Sequence, residues 1–504
     1  MEIDGGHDVE FAQQTQHFLE WFKSLPSATF HKDIELVDMR GSGAGRGIIA
    51  TADIAPETVL FTIPRPSILC ATTSPLAAHL PSLFSQDDTA SNPSAENGDG
   101  DDDEKSQDSW TLLILVLIRE YLDPNSKWKP YLSLLPTTFT TPMFWPPNHL
   151  SHLQSSSILP KIGHASADSM IRSRILPIIT SHPTLFFPPG VSPLPESDLI
   201  NLAHRCGSAI MAYAFDLETE PSPSESEEEP ADEWIEDREG RTMLGMVPMA
   251  DMLNADAEFN AHINHGEEAL TATALRGIRK GEEILNYYGP LGNGELLRRY
   301  GYVTEKHARY DVVEVPWALV EGRLKGRFAG LSGSQWEAVR AYVREQEEEE
   351  EGEAEDAFVL EREGEDPDAE GRLHGEAVSA GLPEELAERV KVFLKGVKKV
   401  AGNEGEVLAD KAVRKEIYLD SVLGALQDRE RQYATLLEED EKLIRPERPM
   451  EREEMALWVR VGEKRLLREA QSWVSRELEA ARREVSSKRE RGDENAPAAK
   501  RRRA

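Results

Sequence analysis

Two short stretches hold the residues best suited to chemistry. Met249-Ala-Asp-Met-Leu-Asn-Ala-Asp256 sets an Asp and an Asn three residues apart in an apolar run. Gly281-Glu-Glu-Ile-Leu-Asn-Tyr-Tyr-Gly289 ends a strand-like pattern on an amide, two phenols and a glycine. Polar groups in such surroundings need partners, since each one buried unpaired costs about 1–3 kcal/mol. Asp251-Met-Leu-Asn254 could be a strand end with Asn254 capping a turn, or it could present donors and acceptors to a ligand. An EF-hand loop is excluded, because glycine is missing at the required sixth position. His262 and His265 lack the carboxylate or cysteine framework of a metal site, and no metal is expected.

A third stretch, Gly41-Ser-Gly-Ala-Gly-Arg-Gly47, fails two phosphate-binding patterns. A dinucleotide fingerprint needs glycine at 46, where Arg stands, and a P-loop needs Gly-Lys-Ser/Thr. What remains is a glycine-rich turn between strands, where backbone can approach a ligand closely.

The elements that must position these residues change character along the chain. Phe11 to Ser24 predicts a short amphipathic helix stopped by Pro26. Ile34–Asp38, Gly47–Ala50 and Val59–Ile63 predict strands, as do Leu270–Ala274 and Glu283–Asn286. Between these two β-rich parts the pattern is helical, with clear helices over Trp110–Leu122 and Ser197–Leu217. Beyond Pro316 helices are predicted over 384–400, 411–438 and 450–485. In the last, Met455, Val459, Gly462, Leu466, Ala470 and Trp473 form a packing stripe.

The 504 residues suffice for two or three domains. The net charge of -34 is concentrated in three inserts. Residues 87–108 carry nine acids and one Lys, 218–237 ten acids and no base, and 345–370 fifteen acids and one Arg. Poor in apolar residues, these inserts are expected to be either solvated disordered loops or mobile acidic surfaces that attract basic partners. Two cysteines, Cys70 and Cys206, exclude a disulfide framework and a cysteine-rich zinc site. Met1-Glu-Ile-Asp begins no signal-peptide core. The most apolar run, Leu112–Ile118, falls far short of the roughly 20 residues of a membrane span. Lys488-Arg489 and Lys500–Arg503 form a two-part basic tail, either a solvated end or a bipartite nuclear import signal.

Taken together, the motifs resemble those of SET-domain protein-lysine methyltransferases. The glycine run followed by Ile48-Ile-Ala resembles the opening motif, Asp251–Asn254 the Asp-x-x-Asn-His segment, and Asn286–Gly289 the Asn-x-Tyr-Gly element. Trp110–Pro136, Phe139–Trp145, Arg431–Lys442 and Val459–Lys464 are similar to the Rubisco and ribosomal-protein methyltransferase branch. The resemblance implies an α+β protein: a small-sheet, pseudoknot-like SET domain over 31–305, split by a helical insertion at about 72–240. An N-terminal helix within 1–30, an all-α substrate-binding domain over 306–485 and a basic tail over 486–504 complete it. It implies S-adenosylmethionine as cofactor, held by Gly45, Arg46, Gly47, Asn254, Ala255, Tyr288 and Tyr302. Tyr288 is then the catalytic tyrosine, and Tyr213, Asp251 and Tyr300 wall the lysine channel. Ala255 departs from the family's His, removing a side-chain contact but leaving the backbone groups; Tyr287 is expected to pack in the core.

The implied reaction is methyl transfer to a neutral lysine amine. It needs alignment and an apolar channel more than acid–base machinery. A basic large-subunit ribosomal protein is the expected substrate, with a histone or transcription factor as alternative. A non-catalytic cofactor- or peptide-binding module is the reading from another class. An import receptor for the tail, nuclear and additionally cytoplasmic location, a monomeric state, and no membrane or direct nucleic-acid partner complete the expectations.

Overall fold

The computed structural model describes residues 5–84, 101–218, 242–348, 356–401, 407–445 and 450–494. Ile34–Asp38 pairs antiparallel with Arg46–Ala50, with Asp38 opposite Arg46, so the glycine-rich run closes a hairpin. Val59–Pro64 lies inside a four-stranded antiparallel sheet ordered Thr29–Phe30, Val59–Pro64, Ala269–Ala274, Ala261–His265. Leu270, Ala272 and Ala274 face the core while Thr271 and Thr273 are part-exposed, which is the period of two expected for a strand with one buried face.

The segment after Gly281 then runs between two partners. On one side Ala50 N–H donates to Glu282 O (2.9 Å) and Ile284 N–H to Ile48 O (2.8 Å). On the other, Leu285–Asn286 pairs parallel with Asn254–Ala255, Leu285 opposite Asn254. Asn260 locks this closure, accepting from Leu285 N–H at 2.8 Å and donating through Nδ2 to Glu283 O at 2.8 Å. Two motifs thirty residues apart thus become neighbours.

The helical insertion lies between the β-rich parts. Helix Asp101–Leu122 packs on helix Glu196–Tyr213, and Leu113–Ile118 are buried, as the apolar run predicts. The second helix corrects one expectation: it ends at Tyr213, and Ala214–Glu218 is a strand paired with Thr242–Met246. Gly245 makes this possible, because a Cβ there would lie 2.5 Å from Leu217 Cδ1. The insertion is therefore framed by a three-stranded sheet that also includes Leu69–Cys70.

The C-terminal region is helical, but it is not all-α. Val313–Pro316 pairs with Ala357–Leu360, and Arg362–Glu363 with Val378–Ser379. The expected acidic insert 345–370 is thus partly ordered: buried Phe358 and Leu360 give its second half an apolar anchor. Arg362 adds a two-pronged pair with Glu469 (2.8 and 2.7 Å). Asp101–Asp108 likewise extend a helix rather than a loop, while 87–100 and 219–237 lie outside the described residues.

Helix Glu384–Val400 has the predicted bounds. The helix predicted over 411–438 ends early, at Arg431, and a separate turn of helix spans Leu437–Glu441. The last helix runs over Arg452–Glu494 and buries Met455, Val459, Leu466 and Ala470 of the stripe. It carries the first half of the basic tail, where Lys488 pairs with Glu484 (2.8 Å) and Asp410 (3.5 Å). Residues 495–504 lie outside the described residues.

Candidate active site

A cleft of about 1270 Å³ opens beside the closure. Gly45, Arg46, Asn254, Ala255, Tyr288, Tyr302, Tyr213, Asp251 and Tyr300 all line it. Gly47, the remaining predicted residue, lies just behind the wall. A Cβ on Gly47 would come within 2.9 Å of both Asn254 Nδ2 and Glu283 Oε1, so only glycine lets these groups meet. Gly43, at φ 85°, supplies the left-handed residue that turns the hairpin.

Asn254 Nδ2 donates to Glu283 Oε1 at 2.7 Å and to Arg46 O at 3.1 Å, tying all three motifs together. Burial raises the Glu283 pKa, with the Asn254 hydrogen bond opposing it. The Ala255 backbone keeps its place opposite Asn286, so the family's missing His costs no ladder position. Arg46 acts as a staple, donating through Nε to Thr15 Oγ1 (2.8 Å), through Nη1 to Leu134 O (3.3 Å) and through Nη2 to Phe11 O (3.4 Å). Its guanidinium lies 3.8 Å from the Phe11 ring centroid. Burial lowers its pKa to about 10, which still leaves it charged at neutral pH.

The opposite wall is aromatic. Tyr288 stacks on Tyr300 with centroids 4.9 Å apart, and Tyr300 leans on Tyr302 at 6.2 Å. The Tyr288 hydroxyl donates to Leu253 O at 2.8 Å, which aims it at the turn between Asp251 and Asn254. Burial, helped by the neighbouring phenols, holds its pKa well above the usual value. Tyr287 points the other way and stacks on Phe259 at 4.7 Å, the expected packing role. Asp251 is buried and accepts from the Tyr131 hydroxyl at 2.6 Å.

Several lining residues escaped the sequence-based selection. Glu283 and Leu285 line the cleft together, and their spacing of two in a predicted strand is the signal that could have found Glu283. Glu10, Phe11 and Gln14 of the N-terminal helix and Ser133–Thr140 of the insertion have no comparable signal, because only the tertiary fold brings them there. His262 and His265 sit three apart on one strand, so their side chains leave opposite faces and form no pair. Among the described residues, His164, Asp168 and His204 form a group with ligand atoms within 4.8 Å of one another. None of the three lines the cleft, and Asp168 is already shared by His204 (2.7 Å) and Arg172 (3.8 Å).

Fold and cleft together define a protein with a β-framed ligand site and a helical region docked beside it. Residues 45–289 match the SET domain family, and residues 358–467 match the Rubisco LSMT substrate-binding domain. The chain thus carries a SET domain followed by a Rubisco LSMT substrate-binding domain.

Ribosomal lysine N-methyltransferase 4 of Saccharomyces cerevisiae is 34% identical over 324 residues, 63% of this chain and 61% of that protein. N-lysine methyltransferase setd6 of Salmo salar is 32% identical, covering 62% of each chain. The chain thus spans about three fifths of the length of these curated relatives. Among solved structures, the SET domain of LSMT bound to lysine and AdoHcy superposes with a TM-score of 0.61 at 17% identity, covering 93% of this chain and 92% of that one.

Proposed function

We propose that this protein is an S-adenosylmethionine-dependent protein-lysine N-methyltransferase. The observation that carries the proposal is the convergence of Asn254, the Gly47 turn and Tyr288 on one aromatic-walled cleft. The LSMT structures bound to AdoMet and to lysine with AdoHcy, and the names of the relatives, support it.

Bound in the cleft, S-adenosylmethionine would supply a methyl group activated by its sulfonium. Asn254, Glu283 and the Gly45–Arg46 backbone offer polar groups to a ligand at one end. A free lysine has a pKa of about 10.4 and is largely charged at neutral pH. Tyr213, Tyr288, Tyr300 and Tyr302 give it aromatic surroundings that favour the uncharged amine. The Tyr288 phenol stays protonated, so it acts as an oriented hydrogen-bond donor beside the Leu253 carbonyl. Alignment of amine, methyl carbon and sulfur is the main task, and stacking against Tyr300 fixes the Tyr288 ring for it. Tyr288→Phe is expected to bind cofactor within about twofold of wild type and to lose at least about 100-fold in turnover. Equal turnover sinks the assignment of Tyr288.

For the substrate, the yeast relative's name favours a ribosomal protein, and a basic one of the large subunit is the first candidate. The net charge of -34 would steer such a protein into encounter. The relatives named N-lysine methyltransferase setd6 keep other protein substrates open to test by the same labelling. The two-part basic tail adds an import receptor as partner and the nucleus as a site of action. Deleting residues 498–504 from a fluorescent fusion is expected to move it to the cytoplasm, and an unchanged nuclear signal overturns that part.

A further inference from the structure

We propose that the Asp251 carboxylate accepts the proton that converts an incoming lysine ammonium into the attacking amine, an inference that rests on the lysine-methyltransferase reading above. Asp251 is 7% exposed yet lines the cleft. Its Oδ2 is taken by the Tyr131 hydroxyl at 2.6 Å, while the buried Oδ1 has no hydrogen-bond partner. The backbone N–H groups of Met249 and Asp251 lie near enough to favour its charged form, short of hydrogen-bond geometry with Oδ1. A buried oxygen without a partner is costly, and a donor that reaches it once a ligand fills the adjoining cleft would satisfy it.

The backbone presents Asp251 at some expense. Met249, fully buried and two residues earlier, sits at φ 85°, outside the range a methionine prefers. Such a conformation costs about 1–3 kcal/mol and persists only where the surroundings impose it. It turns the chain so that Asp251 enters the short helix Ala250–Met252 facing Tyr131 from the insertion.

The titratable groups that face Asp251 are phenols: Tyr131 of helix Lys129–Leu132, Tyr213 at the end of helix Glu196–Tyr213, and Tyr288. Burial keeps all three neutral at physiological pH. The charged residues elsewhere in the lining, Glu10, Arg40, Arg46, Asp256 and Glu283, do not perturb Asp251. A lysine ammonium entering among these phenols therefore meets Asp251 as its counter-charge. Burial raises the Asp251 pKa to about 7, and an acceptor is most effective when its pKa lies near the working pH.

The step balances. An N–H bond of the ammonium breaks as an O–H bond forms on Asp251. The freed lone pair bonds to the methyl carbon, whose bond to sulfur breaks and leaves its electron pair on sulfur. The product nitrogen is a methylammonium with two protons, and Asp251 returns its proton to water when the product leaves.

The test is the pH profile of single-turnover methyl transfer at saturating cofactor, with large-subunit ribosomal proteins as probe, for wild type, Asp251→Asn and Tyr131→Phe. Wild type is expected to gain rate through an acid limb near pH 7. Asp251→Asn should bind cofactor within about twofold, lose about 100-fold in rate at pH 7, and recover to within about tenfold near pH 9.5 as lysine deprotonates unaided. Tyr131→Phe removes a bond that favours the carboxylate, so its acid limb should move upward. A loss for Asp251→Asn that is equal at every pH, or no loss, overturns the proton-acceptor role while leaving the methyltransferase reading intact. No transfer by wild type, despite cofactor binding, overturns that reading and this inference with it.

Discussion

Asp440, in the C-terminal region, is 1% exposed and fully engaged. Arg460 Nε reaches its Oδ2 at 3.1 Å, Lys464 Nζ at 2.7 Å and Thr435 Oγ1 at 3.0 Å, while Arg460 Nη2 reaches Oδ1 at 3.2 Å. Asp251, in the SET domain, is similarly buried but lines the cleft and leaves one buried oxygen without a hydrogen-bond partner. The two acids shift in opposite directions: the two cations outweigh burial at Asp440 and lower its pKa, whereas burial prevails at Asp251 and raises it.

Glu463, like Asp440, has a full set of partners, although with no cation bonded to it burial prevails and raises its pKa. It accepts from Ser156 Oγ and Ser157 N–H at 2.9 Å and from the Tyr433 hydroxyl at 2.7 Å, fastening the long helix to the insertion. In this molecule a buried acid with every partner present holds domains together. A buried acid left incomplete beside a cleft is available to a ligand.

Removing each acid is the sharpest way to break the comparison. Asp440→Ala leaves Arg460 and Lys464 buried without a counter-ion and is expected to cost about 3–5 kcal/mol in urea unfolding. Asp251→Asn at pH 5, where the native carboxyl is protonated, should change stability by no more than about 1 kcal/mol. Equal losses would dissolve the distinction. Next in size, Gly47→Ala pushes a methyl against Asn254, Glu283 and Met39, and should cost about 1–3 kcal/mol with cofactor affinity reduced about tenfold, read by calorimetry.

The pH dependence follows with opposite signs. Asp251 starts from 3.8 unfolded and rises to about 7 in the native state, so the native state binds the extra proton. Stability therefore falls as pH climbs between those values. Asp440 is lowered, so its stabilising contribution holds above 3.8 and is lost as pH falls through the depressed native pKa. Between pH 5 and 8, wild type should lose stability relative to Asp251→Asn; Asp311, which burial also raises to about 7, titrates in both proteins and cancels in the difference. A flat difference curve contradicts the raised Asp251 pKa. Smallest, Arg46→Lys loses the forked contacts to Thr15, Leu134 and Phe11 and should weaken cofactor binding about threefold.

Much of the site was legible from short-range pattern. Asn254, Tyr288 and the glycine turn are read directly, because their polar or conformational demands are local. Helix Glu384–Val400 was equally plain from its periodicity. The strand Ala214–Glu218 was missed because Leu217 continues the helical spacing of Leu199 to Tyr213; only its pairing with Thr242–Met246 decides against helix. The ordered part of the third acidic insert was hidden for a related reason. Its composition argues for disorder, yet Phe358 and Leu360 suffice to anchor a strand. Phe11 and Gln14 reach the cleft, and Tyr131 reaches Asp251, through tertiary contacts that no local spacing encodes.

The most direct measurement pairs cofactor calorimetry with transfer of labelled methyl groups to large-subunit ribosomal proteins, for wild type and Tyr288→Phe. Similar cofactor affinity, with a lysine labelled by wild type and at least about 100-fold slower by the variant, is the predicted result. Equal labelling by both proteins, or cofactor binding without labelling by either, would contradict it.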